Sequence, residues 1–155
     1  MQLIDDLQVW ILATLIPTLH LSEFLEKNKS HYYDNLMRVR THNDLNQWLK
    51  FFLEGVRSTA ENSIQTCMNI ITLREELENK IVTLGKRHAS ARAFLVYLYR
   101  NPATGASDAA EGLDVNISTV LRLIEDFVNL DILVETTGYK RNRIFAFDDY
   151  LKLFR

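Results

Sequence analysis

The side chains best suited to acid–base or metal chemistry in this sequence are four histidines, His20, His31, His42 and His88, and one cysteine, Cys67. A histidine acts as a general base only within hydrogen-bond reach of the proton it removes. A metal site on a helix needs paired ligands on one face. The histidines lack that pairing, and none adjoins a glycine-rich loop. Each is read as a structural or surface residue, so no catalytic residue, metal ligand or cofactor is expected. Cys67 has no internal disulfide partner. It is read as a small buried residue on a helix, in a protein of the reducing cytoplasm.

A second group has the chemistry of recognition. "GYKRNR", residues 138 to 143, carries Lys140, Arg141 and Arg143, which suit phosphate contacts. "NISTVLR", residues 116 to 122, carries Asn116, Ser118, Thr119 and Arg122, which can reach base edges from the start of a helix. Glu125 and Asp126 follow on that helix and would oppose phosphates. From residue 86 onward there are ten Lys/Arg against nine Asp/Glu, a balance of +1. Double-stranded DNA is therefore one expected partner, without the basic excess of a strong independent binder. The plainer alternative is a solvated or docking hairpin.

These residues need elements to hold them. "ARAFLVYLYRNP" reads as a helix stopped by Pro102, "GASDAAEGLD" as a short helix, and "NISTVLRLIEDFVNLD" as a helix capped by Asn116. Val120, Leu121, Ile124, Phe127, Val128 and Leu130 are its apolar positions. "ILVETTGYKRNRIFAF" gives two β-prone runs around a turn. Three helices and a hairpin form the layout of a winged helix-turn-helix. Asp114 and Asp131 fall where such turns often need positive φ, which Asp tolerates better than most residues.

Ahead of this domain the pattern is helical. "LQVWILATLIPTLHL" has an unbroken apolar run of about ten residues, short of the ~20 that span a bilayer, so a core helix is expected and no membrane partner. Asp5 and Asp6 suit its positive end, and Pro17 ends it. Ser22 and Ser30 are candidate caps for "EFLEKN" and "HYYDNLMRVR". Asn43 opens a long stripe: Leu45, Trp48, Leu49, Phe52, Val56, Ala60, Ile64, Met68, Ile71, Leu77 and Ile81. Gly55 admits a bend. "GKRHAS", residues 85 to 90, reads as a linker between a helical region, 1–84, and the winged helix, 85–155. Hydrophobic residues at 47% and a net charge of −2 allow real cores and give no reason to expect disorder or general polyanion binding.

The order "PTLHLSEFLEKNKSHYYDNLMRVR", "WLKFFLEGV", a long helix and "TGYKRNRIFAFDDYL" resembles the C-terminal half of Fic-domain (Fic/DOC) proteins that carry a C-terminal winged helix. The expected fold class is thus mainly α, a Fic-type helical bundle remnant with one long helix followed by a winged helix. The family transfers AMP from ATP to a protein hydroxyl with magnesium, using a His-Pro-Phe-x-x-Gly-Asn-Gly-Arg motif that this sequence does not contain. The resemblance places Tyr33 near a nucleotide base. The position seven residues on, where some relatives have an asparagine touching that base, is Arg40 here. Without the phosphate loop, Tyr32, Leu36 and Val39 are read as core-facing and Tyr33 as edge. Two functions follow: a non-catalytic regulatory or interaction protein, or a fragment of an adenylyltransferase whose N-terminal half is supplied elsewhere. Val9, Trp10 and Leu12 need cover, so self-association through the helical region is expected.

Overall fold

The computed structural model describes residues 21–139 and 141–154. The readings made for the first twenty residues, including Val9, Trp10, Leu12 and the helix ending at Pro17, lie outside them, as does Lys140. The chain divides into two compact units, 1–68 and 69–155. The sequence reading put the division at Gly85. The later part of the long helix belongs with the second unit because Leu77 and Ile81 sit in that unit's core.

In the first unit, α1 (Leu21–Lys27) and α2 (Lys29–His42) are broken at Asn28. The Asn28 side-chain amide donates to the Phe24 carbonyl at 2.9 Å, holding the junction. Ser22 and Ser30, expected as caps, lie inside the helices instead. Asn43 also differs from expectation. It closes α2 in the left-handed conformation, φ 52°, a role to which Asn is suited. Asp44 then starts α3 (Leu45–Val82), accepting the Gln47 N–H at 3.2 Å.

α3 runs for 38 residues through Gly55 without interruption. The glycine serves close approach rather than bending. A Cβ there would lie 2.6 Å from two ring carbons of Phe24, whose ring packs 5.5 Å from Phe51. The stripe along α3 is only partly covered. Leu77 and Ile81 are buried, whereas Leu45, Leu49, Ile64, Met68 and Ile71 remain exposed. Buried Thr59 and Ser63 return their hydroxyls to carbonyls one turn back, Gly55 and Thr59.

The second unit follows a turn of 3-10 helix at Gly85–Arg87. Its elements are α4 (His88–Arg100), β1 (Ala103–Gly105), α5 (Ala106–Leu113), α6 (Ile117–Asn129), β2 (Val134–Glu135), β3 (Ile144–Ala146) and α7 (Asp148–Lys152). The expected linker is thus ordered, with Ser90 inside α4 instead of capping it. The sheet order is β1-β3-β2, antiparallel throughout, with Thr104 and Glu135 both opposite Phe145. β1 was not anticipated, because three residues between Pro102 and a helix carry no readable alternation.

The core of this unit is the meeting of α4 and α6. Val120, Leu123, Ile124 and Phe127 occupy i, i+3, i+4 and i+7 on α6 and face Phe94, Leu95 and Leu98 of α4. Phe94 and Phe127 are fully buried and tilted across each other, centroids 4.9 Å apart. Leu121 and Val128, read from the sequence as part of the helix's apolar set, point outward, and Leu123 takes the inward position. The periodic stripe is narrower than the residue list.

Asp114 and Asp131 both adopt positive φ, 52° and 54°. Behind Asp114 the Val115 N–H reaches back to the Ala110 carbonyl at 3.1 Å. Beyond Asp131 the Ile132 N–H reaches Phe127 at 2.8 Å. These left-handed turns set where α6 begins and where the chain leaves it.

Truncating Phe127 to Ala removes one half of the central ring pair. It is expected to cost about 3–5 kcal/mol in denaturant unfolding of the chain.

A satellite aromatic group joins the end of α4 to α7: Tyr99 lies 5.6 Å from Phe147 and 5.3 Å from Tyr150. Burial raises the pKa of the Tyr99 hydroxyl far above the ordinary phenol range, and it has no hydrogen-bond partner among the described residues. The unfolded chain therefore releases this proton first. The contribution is intact below about pH 10 and falls away as pH rises beyond it. Tyr99→Phe is expected to stabilise the fold by about 1 kcal/mol at neutral pH and to flatten the alkaline loss seen in thermal melts.

Candidate nucleic-acid interface

α6 opens at Asn116, which has extended backbone, φ −65° and ψ 141°, and makes no side-chain cap bond. Its amide is left facing solvent beside the first turn. Ser118, Thr119 and Arg122 are exposed on the same end of the helix. The structure thus brings together the four helix residues singled out from the sequence. They share that surface with Ile117 and Leu121, 49% and 44% exposed, which the sequence reading did not place there. Fitting the helical period to Leu123 instead of Leu121 would have turned both outward.

The hairpin is closed by side-chain hydroxyls as well as backbone. Thr136 donates its N–H to the Ile144 carbonyl at 3.0 Å, and the Ile144 N–H donates to Thr137 Oγ1 at 3.3 Å. Among the described loop residues, Gly138 (φ 64°) and Asn142 (φ 53°) are left-handed. Tyr139, Arg141 and Asn142 are exposed on it.

The two described arginines of the hairpin differ in their attachments. Arg143 is 3.4 Å from Glu135 across the strands and lies over the Phe145 ring, 5.3 Å from its centroid. Arg141 makes no hydrogen bond or ion pair with a described residue. Between α6 and the hairpin is a cleft of about 460 Å³, lined in part by Ser107, Asp108, Ile117, Leu121, Arg141 and Arg143.

The acidic residues of α6 also separate. Asp126, expected to oppose phosphates, is paired 2.5 Å from Arg87 and is largely shielded, its side chain 12% exposed. Arg87 comes from the segment expected to be a linker, so this neutralisation could not be read locally. Glu125 stays exposed.

In the first unit, Tyr33 is 55% exposed on α2 with its ring edge-on to Tyr32 at 5.4 Å. Arg40, two turns on, is exposed as well. Tyr32 and Val39 are half-buried, but Leu36 is 37% exposed, so the expected inward set is incomplete. The most buried residue of α2 is Asn35, whose amide donates to the His31 carbonyl at 2.7 Å.

His31 and His42 are exposed and His88 is half-buried. Among the described residues no three His, Cys, Asp or Glu side chains group to hold a metal ion. Cys67 is partly buried, and that burial raises its thiol pKa, away from the thiolate form that reacts. No described helix is long and apolar enough to cross a membrane.

No protein-family model matches this chain, and no curated protein matches it.

The different tethering of the two arginines has a measurable consequence. Arg143→Ala is expected to lower the thermal midpoint slightly, by up to about 1 kcal/mol of stability for a half-exposed pair. Arg141→Ala should leave the melt unchanged.

Proposed function

We propose that the second unit is a winged helix-turn-helix that binds double-stranded DNA, and that the chain is a non-catalytic regulatory or interaction protein. α6 enters the major groove and the hairpin lies along the adjoining backbone. One observation carries this reading: the first turns of α6, which expose Asn116, Ser118, Thr119 and Arg122, reach through Ile117 and Leu121 an open cleft shared with Arg141, which has no partner among the described residues. The pairing of Asp126 with Arg87 supports it by removing one carboxylate from the surface.

On this reading Asn116, Ser118, Thr119 and Arg122 address base edges, while Lys140 and Arg141 contact phosphates. Arg143 orders the hairpin and adds its positive charge to the same cleft. With a charge balance of only +1 from residue 86 onward, a single unit binds weakly. Two copies joined through the helical first unit would gain affinity through effective concentration. That first unit is proposed as a Fic-like scaffold on which Tyr33 and Arg40 are surface residues without a nucleotide to hold, acting in the cytoplasm.

Charge reversal separates a DNA reader from a docking hairpin. In fluorescence anisotropy on a labelled duplex, Lys140→Glu/Arg141→Glu is expected to weaken binding more than tenfold at low salt. It should also reduce the slope of log affinity against log salt by about two. Wild-type affinity and slope in the double variant would reject DNA binding by this face. Incubation with labelled ATP, magnesium and candidate proteins is expected to give no AMP transfer, and transfer by this chain alone would reject the non-catalytic reading.

A further inference from the structure

Resting on the proposed DNA complex, we infer that Ile117 and Leu121 read thymine methyl groups in the major groove, so that the protein prefers duplexes with thymines beneath the start of α6. Both side chains are about half exposed, although the helix has a complete inward set without them in Val120, Leu123, Ile124 and Phe127. They stand one turn apart, a separation of about 6 Å along the helix, comparable to two base-pair steps.

Among the described residues, the start of α6 itself adds one cation, Arg122, the hydroxyls of Ser118 and Thr119, and the Asn116 amide. Hydrogen-bond readout from such a set is thin. The thymine C5-methyl is the apolar mark on the major-groove edge, and aliphatic side chains recognise it by contact.

Charge favours DNA over an apolar protein segment as the occupant. Arg141 and Arg143 line the cleft with the aliphatic pair, Arg122 follows Leu121 on the helix, and neither Arg122 nor Arg141 has a partner among the described residues. Asp108 lines the cleft, and Glu125 is exposed one turn beyond Leu121 on α6. Both would repel phosphates placed beside them. They therefore direct the backbone toward Arg122 and Arg141 and leave the aliphatic pair over the bases.

The test replaces thymidine with deoxyuridine, which lacks only the methyl, in a duplex enriched by the protein from a randomised pool. Anisotropy titrations should show about fourfold weaker binding for each methyl withdrawn from contact. Ile117→Ser/Leu121→Ser should bind the two duplexes alike, with the wild-type salt slope and an unchanged melt. This comparison on the wild-type protein stands even where the variant fails to fold. Equal affinity of the wild-type protein for the thymidine and deoxyuridine duplexes overturns the inference while leaving DNA binding in place. Failure to bind any duplex at low salt overturns the DNA reading and this inference together. Binding of a peptide or protein to the Ile117–Leu121 surface in place of DNA does the same.

Discussion

The second unit depends on the contact between Phe94 and Phe127, two fully buried rings 4.9 Å apart. Through it α4 holds α6 at a fixed rotation, and the rotation decides which residues of α6 reach solvent. Large rings packed at crystal-like density leave little freedom to turn a helix about its axis. The face carrying Asn116, Ser118 and Arg122 is therefore set from behind, by side chains that never approach a ligand.

Two further constraints complete the placement. The left-handed residues Asp114 and Asp131 fix the chain's entry to and exit from α6. β1, pairing with β3 from Ala103↔Ala146 to Gly105↔Ile144, ties the hairpin to the segment between α4 and α5. The cleft is bounded by elements brought together by this pairing, including Gly105 at the end of β1 and Ile144 opposite it. Its shape thus follows from backbone hydrogen bonds as much as from the helix–helix core.

Much of this was legible in the residues, and the rest was hidden for identifiable reasons. The helices over 88–100, 106–113 and 117–129 announce themselves by periodicity and by Pro102, and the positive-φ aspartates by their place in the turns. β1 is too short to show alternation. α7 and its Tyr150 follow the hairpin so closely that they read as its tail. On α6 the sequence pattern includes Leu121 and Val128 and omits Leu123, since these residues are equally apolar and only packing distinguishes them. Asn43 was read as an opener because Asn caps helix starts and also tolerates the left-handed conformation that ends them. The Arg87–Asp126 pair joins residues 39 apart, beyond the reach of any local pattern. The exposed polar and basic residues of α6 and the hairpin stand out by type, while the tether on Arg143 required the partner strand.

The notch at Gly55 has a consequence for the first unit. Phe24 lies where a Cβ would otherwise stand. Shifting α1 by one turn along α3 toward its C-terminus, about 5.4 Å, would bring the ring to Thr59, whose side chain occupies the space that Gly55 leaves open. The two helices therefore have a single axial setting, like a key with one cut, and α1 can detach from α3 but cannot creep along it.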